Sequence, residues 1–177
     1  SQLNDYEKAI TAVASVIAPY DHDQTFPVYG FGAKQNGILQ NAFEITRAHG
    51  IPAILQAYRQ VFGSGVVMSG PTSFQEVIDL VAVTATSRQE QYVTMGRQAY
   101  TVLLILTDGA VSDVAATQQA LRRAADAPLS VVIVGIGNED FGAMQFLDDF
   151  AHEAQIRDIC QFVEFRQHAD SKTSLTR

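Results

Sequence analysis

Residues 101–106 (TVLLIL) and 130–135 (SVVIVG) decide the fold of this chain. Both segments are continuously apolar and rich in branched side chains, and neither shows the alternation of a strand that has one wet face. Strands of this kind are buried on both faces, as in a parallel sheet that helices cover on either side. The segment between them, from about Asp113 to Ala125, is predicted to be the crossover helix. The pattern therefore predicts an α/β fold with a doubly wound, mostly parallel sheet.

Periodicity and capping residues predict the elements on either side of these two strands. Asn4 followed by Glu7 is close to a capping box, and Ser73 followed by Glu76 has the same spacing at a later helix start. The predicted helices are Asn4–Ala18, one that begins near Pro52, one that begins at Ser73, and Phe141–His152. The predicted outer strands are Phe26–Phe31, Asn41–Thr46 and Cys160–Phe165, of which the first two are expected to form a hairpin. The stretch Ser87–Gln98 is polar and has no clean period, so we expect a surface connection there.

Composition limits the class of protein. The chain has 177 residues, 47% apolar and 9% aromatic, which excludes a disordered or fibrous protein and fits a single domain over residues 1–177, with a polar tail at 167–177. No apolar run approaches the roughly 20 residues that span a bilayer, and no secretory signal is expected. The single cysteine, Cys160, excludes an internal disulfide framework and suits a reducing, cytoplasmic compartment. The net charge of −7 argues against nucleic acid and acidic lipid as direct partners.

Ligands of an open parallel sheet bind at the carboxyl ends of its strands, where two segments carry oxygen-bearing side chains. Asp108 lies in Thr107-Asp108-Gly109, directly after the apolar strand 101–106, and Thr72 lies in Gly70-Pro71-Thr72-Ser73 at a helix start. A turn or helix-capping role for Asp108 is equally compatible with its position. A capping role for Ser73 explains much of the second segment.

Two further segments could bind a ligand, but each of them also has a structural explanation. Gly135-Ile136-Gly137-Asn138 ends a strand, but its glycine spacing departs from the dinucleotide-binding fingerprint. Asp148, Asp149, His152 and Glu153 could place metal ligands on one helical face, although a solvated acidic helix end explains them as well. No nucleophile–base pair is evident, so we expect no enzymatic activity.

Five strings resemble the A domain of copines, a branch of the von Willebrand factor type A fold. They are FPVYGFGA (26–33), SGPTSFQEVIDLV (69–81), LLILTDGAVSD (103–113), LSVVIVGIGNEDFGAMQFLD (129–148) and RDICQFVEFR (157–166). The resemblance runs from about Tyr6 to Arg166. A similar domain occurs in plant ubiquitin ligases that carry a RING module.

The resemblance implies a metal-ion-dependent adhesion site at the top of the sheet. By motif match, Thr72 takes the place of the second-loop threonine and Asp108 that of the third-loop aspartate, around a magnesium, manganese or calcium ion. The first-loop motif, Asp-x-Ser/Thr-x-Ser, has no equivalent here, since Asp23–Pro27 carries a proline at the second hydroxyl position. We therefore expect the chain to lack the first central strand of the domain and to bind metal weakly.

The resemblance also implies a function and leaves alternatives open. We expect a non-catalytic binding module that docks acidic or helical motifs of partner proteins, while other modules of the full-length protein bind phospholipid with calcium and recruit it to membranes. One alternative is the partner-docking domain of a RING-type ubiquitin ligase. Another is a structural α/β domain that has lost its metal site.

Overall fold

The computed structural model describes residues 3–21, 25–35, 38–63, 67–68, 73–109, 111–138 and 140–165. Six strands and five α-helices alternate along this part of the chain. In order they are α1 (Asp5–Ile17), a short 3₁₀ helix (Ala18–Tyr20), β1 (Thr25–Gln35), β2 (Ile38–His49), α2 (Gly50–Gly63), β3 (Val67–Met68), α3 (Gln75–Thr94), β4 (Thr101–Thr107), α4 (Val114–Ala124), β5 (Leu129–Ile136), α5 (Gly142–Ala154) and β6 (Cys160–Phe165). None of the helices in these ranges is both long and apolar enough to cross a membrane.

The two apolar segments form neighbouring parallel strands, as predicted. β4 and β5 pair in register from Thr101 opposite Leu129 to Thr107 opposite Gly135. β6 pairs with the other edge of β5, also in parallel, so that β5 is the middle strand of a three-stranded parallel sheet. The α/β class is thereby confirmed.

Apolar side chains of the parallel sheet pack on both of its faces, most completely in the middle strand, β5. Leu103 and Ile105 of β4 pack into the main core with residues of α3, α4 and α5. Leu104 and Leu106 point to the opposite face, where they pack in a second cluster with Ala9 of α1. Helices therefore cover both faces, which explains why neither strand alternates in hydrophobicity. The largest side chains with almost no exposure are Phe74, Ile78, Leu121, Leu129, Ile133, Met144 and Leu147.

The predicted hairpin is also present, in a sheet of its own. β1 and β2 pair antiparallel from Thr25 opposite His49 to Gln35 opposite Ile38, and the short β3 pairs with the far end of β1. Among the described strands, β1 does not pair with β4. The described strands form two three-stranded sheets, and β4 lies at the edge of the second.

Helix α3 departs from the predictions at both ends. Its N-cap is Phe74 and carries no side-chain capping hydrogen bond, so Ser73 does not cap it as predicted. The helix continues to Thr94 and includes the stretch from Ser87 that we expected to be a surface connection. The last turns expose most of their side chains, so no apolar period marks them in the sequence. Residues such as Arg and Gln favour helix without tertiary help, and Arg88 lies over the Tyr92 ring at 5.6 Å from its centroid.

Helix α1 begins with the predicted capping box. The Asn4 side chain accepts a hydrogen bond from the Glu7 amide at 2.9 Å, and Glu7 accepts one from the Asn4 amide at 2.9 Å. Glu7 is buried and also accepts a hydrogen bond from Arg59 of α2. The same carboxylate therefore caps α1 and joins it to α2.

Arg157 lies in the loop before β6 and connects this loop with the N-terminal ends of β4 and β5. Its Nε donates to the carbonyl of Ala125 at 2.7 Å, and one terminal nitrogen donates to the carbonyls of Ala127 and Leu129. The other terminal nitrogen donates to the Tyr100 hydroxyl at 3.2 Å. The planar guanidinium thus joins the Tyr100 hydroxyl to backbone carbonyls at the end of α4 and the start of β5.

Candidate site at the carboxyl edge of the parallel sheet

Asp108 lies where the sequence predicts, immediately after β4 at the carboxyl edge of the sheet, and its side chain is exposed. The preceding residue, Thr107, is buried, and its hydroxyl donates to the Gly109 carbonyl at 2.9 Å. The Gly109 amide in turn donates to the Thr107 hydroxyl at 3.3 Å. This tight turn ends the strand and leaves the Asp108 carboxylate directed away from the core.

Two tyrosines from different helices stand beside Asp108. Tyr6 of α1 and Tyr58 of α2 stack with ring centroids 5.8 Å apart and an angle of 19° between the rings. Burial and the negative charge of Asp108, together with a hydrogen bond to its carboxylate, raise the pKa of the Tyr6 hydroxyl. Burial raises the pKa of Tyr58 as well, and the charges of Glu7 and Asp108 act in the same direction. Both hydroxyls are therefore protonated at neutral pH. The Tyr6 hydroxyl donates to the Asp108 carboxylate, whereas the Tyr58 hydroxyl accepts a hydrogen bond from the Asn4 side chain.

Sequence reasoning did not identify these tyrosines as neighbours of the site. Tyr6 and Tyr58 each fit the apolar stripe of their own helix, α1 and α2, and helical periodicity alone accounts for them. A stacked pair joining two helices has no sequence pattern of its own, since each residue also fits a helix core. The only available indication was that Tyr6 begins a helix on the face that the sheet covers.

Thr72, the second predicted ligand, lies outside the described residues, as does Asp23. The side chains of Asp148, His152 and Glu153 are likewise outside them. Within the described ranges, no group of three or more His, Cys, Asp or Glu side chains is placed to hold a metal ion. The proximity of Thr72 to Asp108 therefore stays a prediction.

The chemistry of the described part of the site fits a hard cation. Magnesium, manganese and calcium prefer oxygen ligands, and the exposed Asp108 carboxylate supplies two of them at the edge of a rigid sheet. The hydrogen bond with Tyr6 occupies only part of the capacity of that carboxylate, which has about four lone-pair positions. Other residues have to supply the remaining ligands of the cation, because one carboxylate does not make a selective cation site.

The glycines after β5 have structural roles. A Cβ atom on Gly135 would lie 2.9 Å from two atoms of the Phe141 ring, so this glycine allows the ring to pack directly on the strand. Gly137 has φ +99°, a conformation that side chains with a Cβ rarely adopt. Packing and turn geometry account for both positions, and neither needs a nucleotide to explain it.

The fold and the residues at the carboxyl edge of the parallel sheet define a class of protein domain. It is an α/β domain whose buried parallel sheet presents an exposed aspartate at its carboxyl end. Comparison with known families matches residues 1–177 to the copine family, described as "Copine". The chain is 39% identical to Copine-D of Dictyostelium discoideum over 181 residues, which covers 93% of this chain and 33% of that protein. The chain belongs to the copine family, and it spans about a third of the length of this curated relative.

Proposed function

We propose that this chain is a non-catalytic protein-interaction module of a copine, which docks partner proteins through a divalent cation at the carboxyl edge of its parallel sheet. Asp108 is the observation that carries the proposal. It is an exposed carboxylate at the end of a strand whose side chains pack into clusters on both faces of the sheet, at the edge where ligands of such sheets bind. Thr72 is the second proposed ligand.

The chemistry of hard cations supports docking rather than catalysis at this edge. A cation held by hydroxyl, carboxylate and water oxygens keeps exchangeable positions, and an acidic side chain of a partner can occupy one of them. The chain's own residues then have two tasks: Asp108 supplies charge, and Tyr6 holds the carboxylate by donating a hydrogen bond to it. An acidic or helical motif with an exposed Asp or Glu is the partner chemistry that fits.

The wider role follows from copine membership and is part of the proposal. We propose that the full-length protein is cytoplasmic and binds phospholipid in a calcium-dependent manner through other modules, while this part recruits proteins. The net charge of −7 supports this division, because an acidic module is repelled by acidic lipid and by nucleic acid. Copine membership favours this role over partner docking in a RING-type ubiquitin ligase.

Calorimetric titration with magnesium, manganese and calcium tests the metal site. We expect weak binding by the chain and no saturable binding by Asp108→Asn or Thr72→Ala. Asp126→Asn is the matched control, since Asp126 is equally exposed and lies in the turn after α4. Circular dichroism should be unchanged in Asp108→Asn and Asp126→Asn, because exposed side chains contribute little to the core.

Two further outcomes decide whether the proposal stands. A form lengthened at its N-terminus by a strand and an Asp-x-Ser/Thr-x-Ser loop should bind the cation more tightly than the chain alone. An acidic peptide retained by the lengthened form should be released by a chelator and by Asp108→Asn. Cation binding that is equal in the chain and in Asp108→Asn would refute the assignment of this residue. Absence of cation binding by the lengthened form would leave a structural domain without an adhesion site.

A further inference from the structure

Tyr100 is an exposed tyrosine in an irregular segment of the chain. All six tyrosines lie in the described ranges, and only Tyr20 and Tyr100 are exposed, at 83% and 58%. Tyr100 lies between the end of α3 and the start of β4, and Arg97 and Gln98 before it are exposed as well. Exposed connecting segments are the parts of a fold that a protein-modifying enzyme reaches most easily. The Tyr100 side chain is therefore accessible to such an enzyme.

The hydroxyl of Tyr100 lies beside a positive charge from a distant part of the chain. Nη1 of Arg157 donates to it at 3.2 Å, and Oγ of Ser130 in β5 lies 2.7 Å from it. Burial acts to raise the pKa of the Tyr100 hydroxyl, but the hydrogen bonds with Ser130 and Arg157 and the charge of Arg157 lower it on balance. Among the described groups that shift this pKa there is no carboxylate. The surroundings of this oxygen therefore favour negative charge on it.

Arg157 has the capacity to bind a further acceptor at this place. A guanidinium carries five N–H donors. Nε donates to the carbonyl of Ala125, and Nη2 donates to the carbonyls of Ala127 and Leu129. Nη1 carries two N–H groups, and within the described ranges its acceptor is the Tyr100 hydroxyl. A group attached to the Tyr100 oxygen can therefore accept from Nη1 without displacing a backbone carbonyl.

We infer that Tyr100 is a phosphorylation site and that Arg157 binds its phosphate in the folded protein. In the reaction, the Tyr100 oxygen attacks the γ-phosphorus of a nucleoside triphosphate held by a protein kinase. The new O–P bond forms as the bond between the γ-phosphorus and the β-phosphate oxygen breaks, a nucleoside diphosphate leaves, and the phenolic proton passes to a base of the kinase. The product carries a charge of about −1.5 to −2 and three acceptor oxygens at the position that Arg157 already contacts.

The phosphate fastens the start of β4 to the loop before β6. Hydrogen bonds between a guanidinium and a phosphate are roughly twice as strong as those between neutral groups, so phosphorylated Tyr100 holds Arg157 more firmly than the hydroxyl does. β4 spans Thr101–Thr107, which places this end of the strand roughly 20 Å from Asp108. The modification therefore acts away from the proposed cation site, and its test is independent of that site.

Treatment of the chain with a broad-specificity tyrosine kinase domain and ATP, followed by peptide mass spectrometry, tests the acceptor. We expect phosphate on Tyr100 and loss of that phosphopeptide in Tyr100→Phe. Tyr20→Phe is the matched control, because Tyr20 is the other exposed tyrosine, and it should leave the labelling of Tyr100 unchanged. A folded chain that carries no phosphate on Tyr100 after this treatment overturns the inference.

The phosphorus-31 chemical shift of the chain phosphorylated at Tyr100, followed against pH, tests the role of Arg157. The second pKa of such a phosphate is about 6 without a partner, and a cation in contact with it lowers this pKa. We expect a value at least about 0.5 below that of the same phosphoprotein unfolded in urea. Arg157→Gln should remove the difference, whereas Arg97→Gln, which removes another exposed arginine close to Tyr100, should retain it.

The comparison of the folded and unfolded parent phosphoprotein needs no variant, so it decides the question even where Arg157→Gln does not fold. Equal pKa values for the phosphate in these two states overturn the role of Arg157. A lowered pKa that persists in folded Arg157→Gln overturns it as well.

Discussion

Replacement of Gly135 by alanine tests the packing that positions the loop after β5. The added Cβ would meet the Phe141 ring at 2.9 Å, whereas carbon atoms pack at about 3.5 Å or more, so the ring has to move by roughly half an ångström. The ring is 4% exposed and its centroid lies 5.7 Å from that of Phe162, which leaves it little room. Overpacking of this kind costs about 1–3 kcal/mol. Loss of glycine's freedom in the unfolded chain offsets up to about 1 kcal/mol, so we expect a net loss of about 1–2 kcal/mol.

Urea unfolding followed by circular dichroism measures this loss, and a double-mutant cycle attributes it to the ring. Phe141→Leu should destabilise the protein alone but relieve the crowding in Gly135→Ala, giving a favourable coupling of at least about 0.5 kcal/mol. Gly96→Ala is the control, because Gly96 has φ +68° and no neighbour within 4 Å of an added Cβ. It should lose about 1–2 kcal/mol through backbone strain and show no coupling with Phe141→Leu. A change in Gly135→Ala of less than about 0.5 kcal/mol, or the absence of coupling, would refute the packing argument.

Two other substitutions test interactions that join elements. Arg157→Lys should lower the free energy of unfolding in urea by about 1–3 kcal/mol, because an ammonium cannot reach the carbonyls of Ala125 and Leu129 together. The control, Arg122→Lys, should change it by less than about 0.5 kcal/mol. Equal effects of the two substitutions would contradict the assigned role of Arg157. Hydrogen bonds from the Asn4 amide and from Arg59 lower the pKa of Glu7. The ionised Glu7 carboxylate therefore stabilises the fold at pH values above the ordinary glutamate pKa of about 4.3. This stabilisation is lost as the pH falls through the lowered pKa of Glu7 in the folded protein. In unfolding scans between about pH 6 and pH 3, Glu7→Gln should flatten the loss of stability on acidification, whereas the exposed Glu90→Gln should follow the parent profile. Parallel profiles for the parent and Glu7→Gln would disprove this account.

The parts of the fold that the sequence predicts are those in which burial leaves a pattern. The apolar residues of β4, β5 and β6 occupy most of the buried positions of these strands, so burial is visible in the sequence. The capping box of α1 lies within four consecutive residues. The end of α3 leaves no such pattern, because Ser87 to Thr94 expose most of their side chains and intrinsic propensity is the only indication of helix. The pairing partners of β1 and β4 depend on contacts between distant segments, which local sequence does not encode.

The residues of the candidate site also differ in whether the sequence reveals them. Asp108 is recognisable because a carboxylate so soon after the apolar run Val102–Leu106 is unusual, and the family resemblance predicts a role for it. Tyr6 and Tyr58 are not recognisable, since their contact with each other and with Asp108 arises only when α1 and α2 meet.

The register of the parallel sheet has a consequence for the order of folding. Thr101 pairs with Leu129 and Val131 pairs with Cys160, so each pairing closes a loop of roughly 30 residues at an entropic cost of about 3 kcal/mol. The hairpin begins instead with Gln35 opposite Ile38, where closure is local and takes microseconds. The antiparallel sheet should therefore form early, while β5 has to acquire two distant neighbours in separate steps of similar difficulty. Refolding kinetics should then be governed by the assembly of the parallel sheet, with Asp108 reaching its final position only when that slow step is complete.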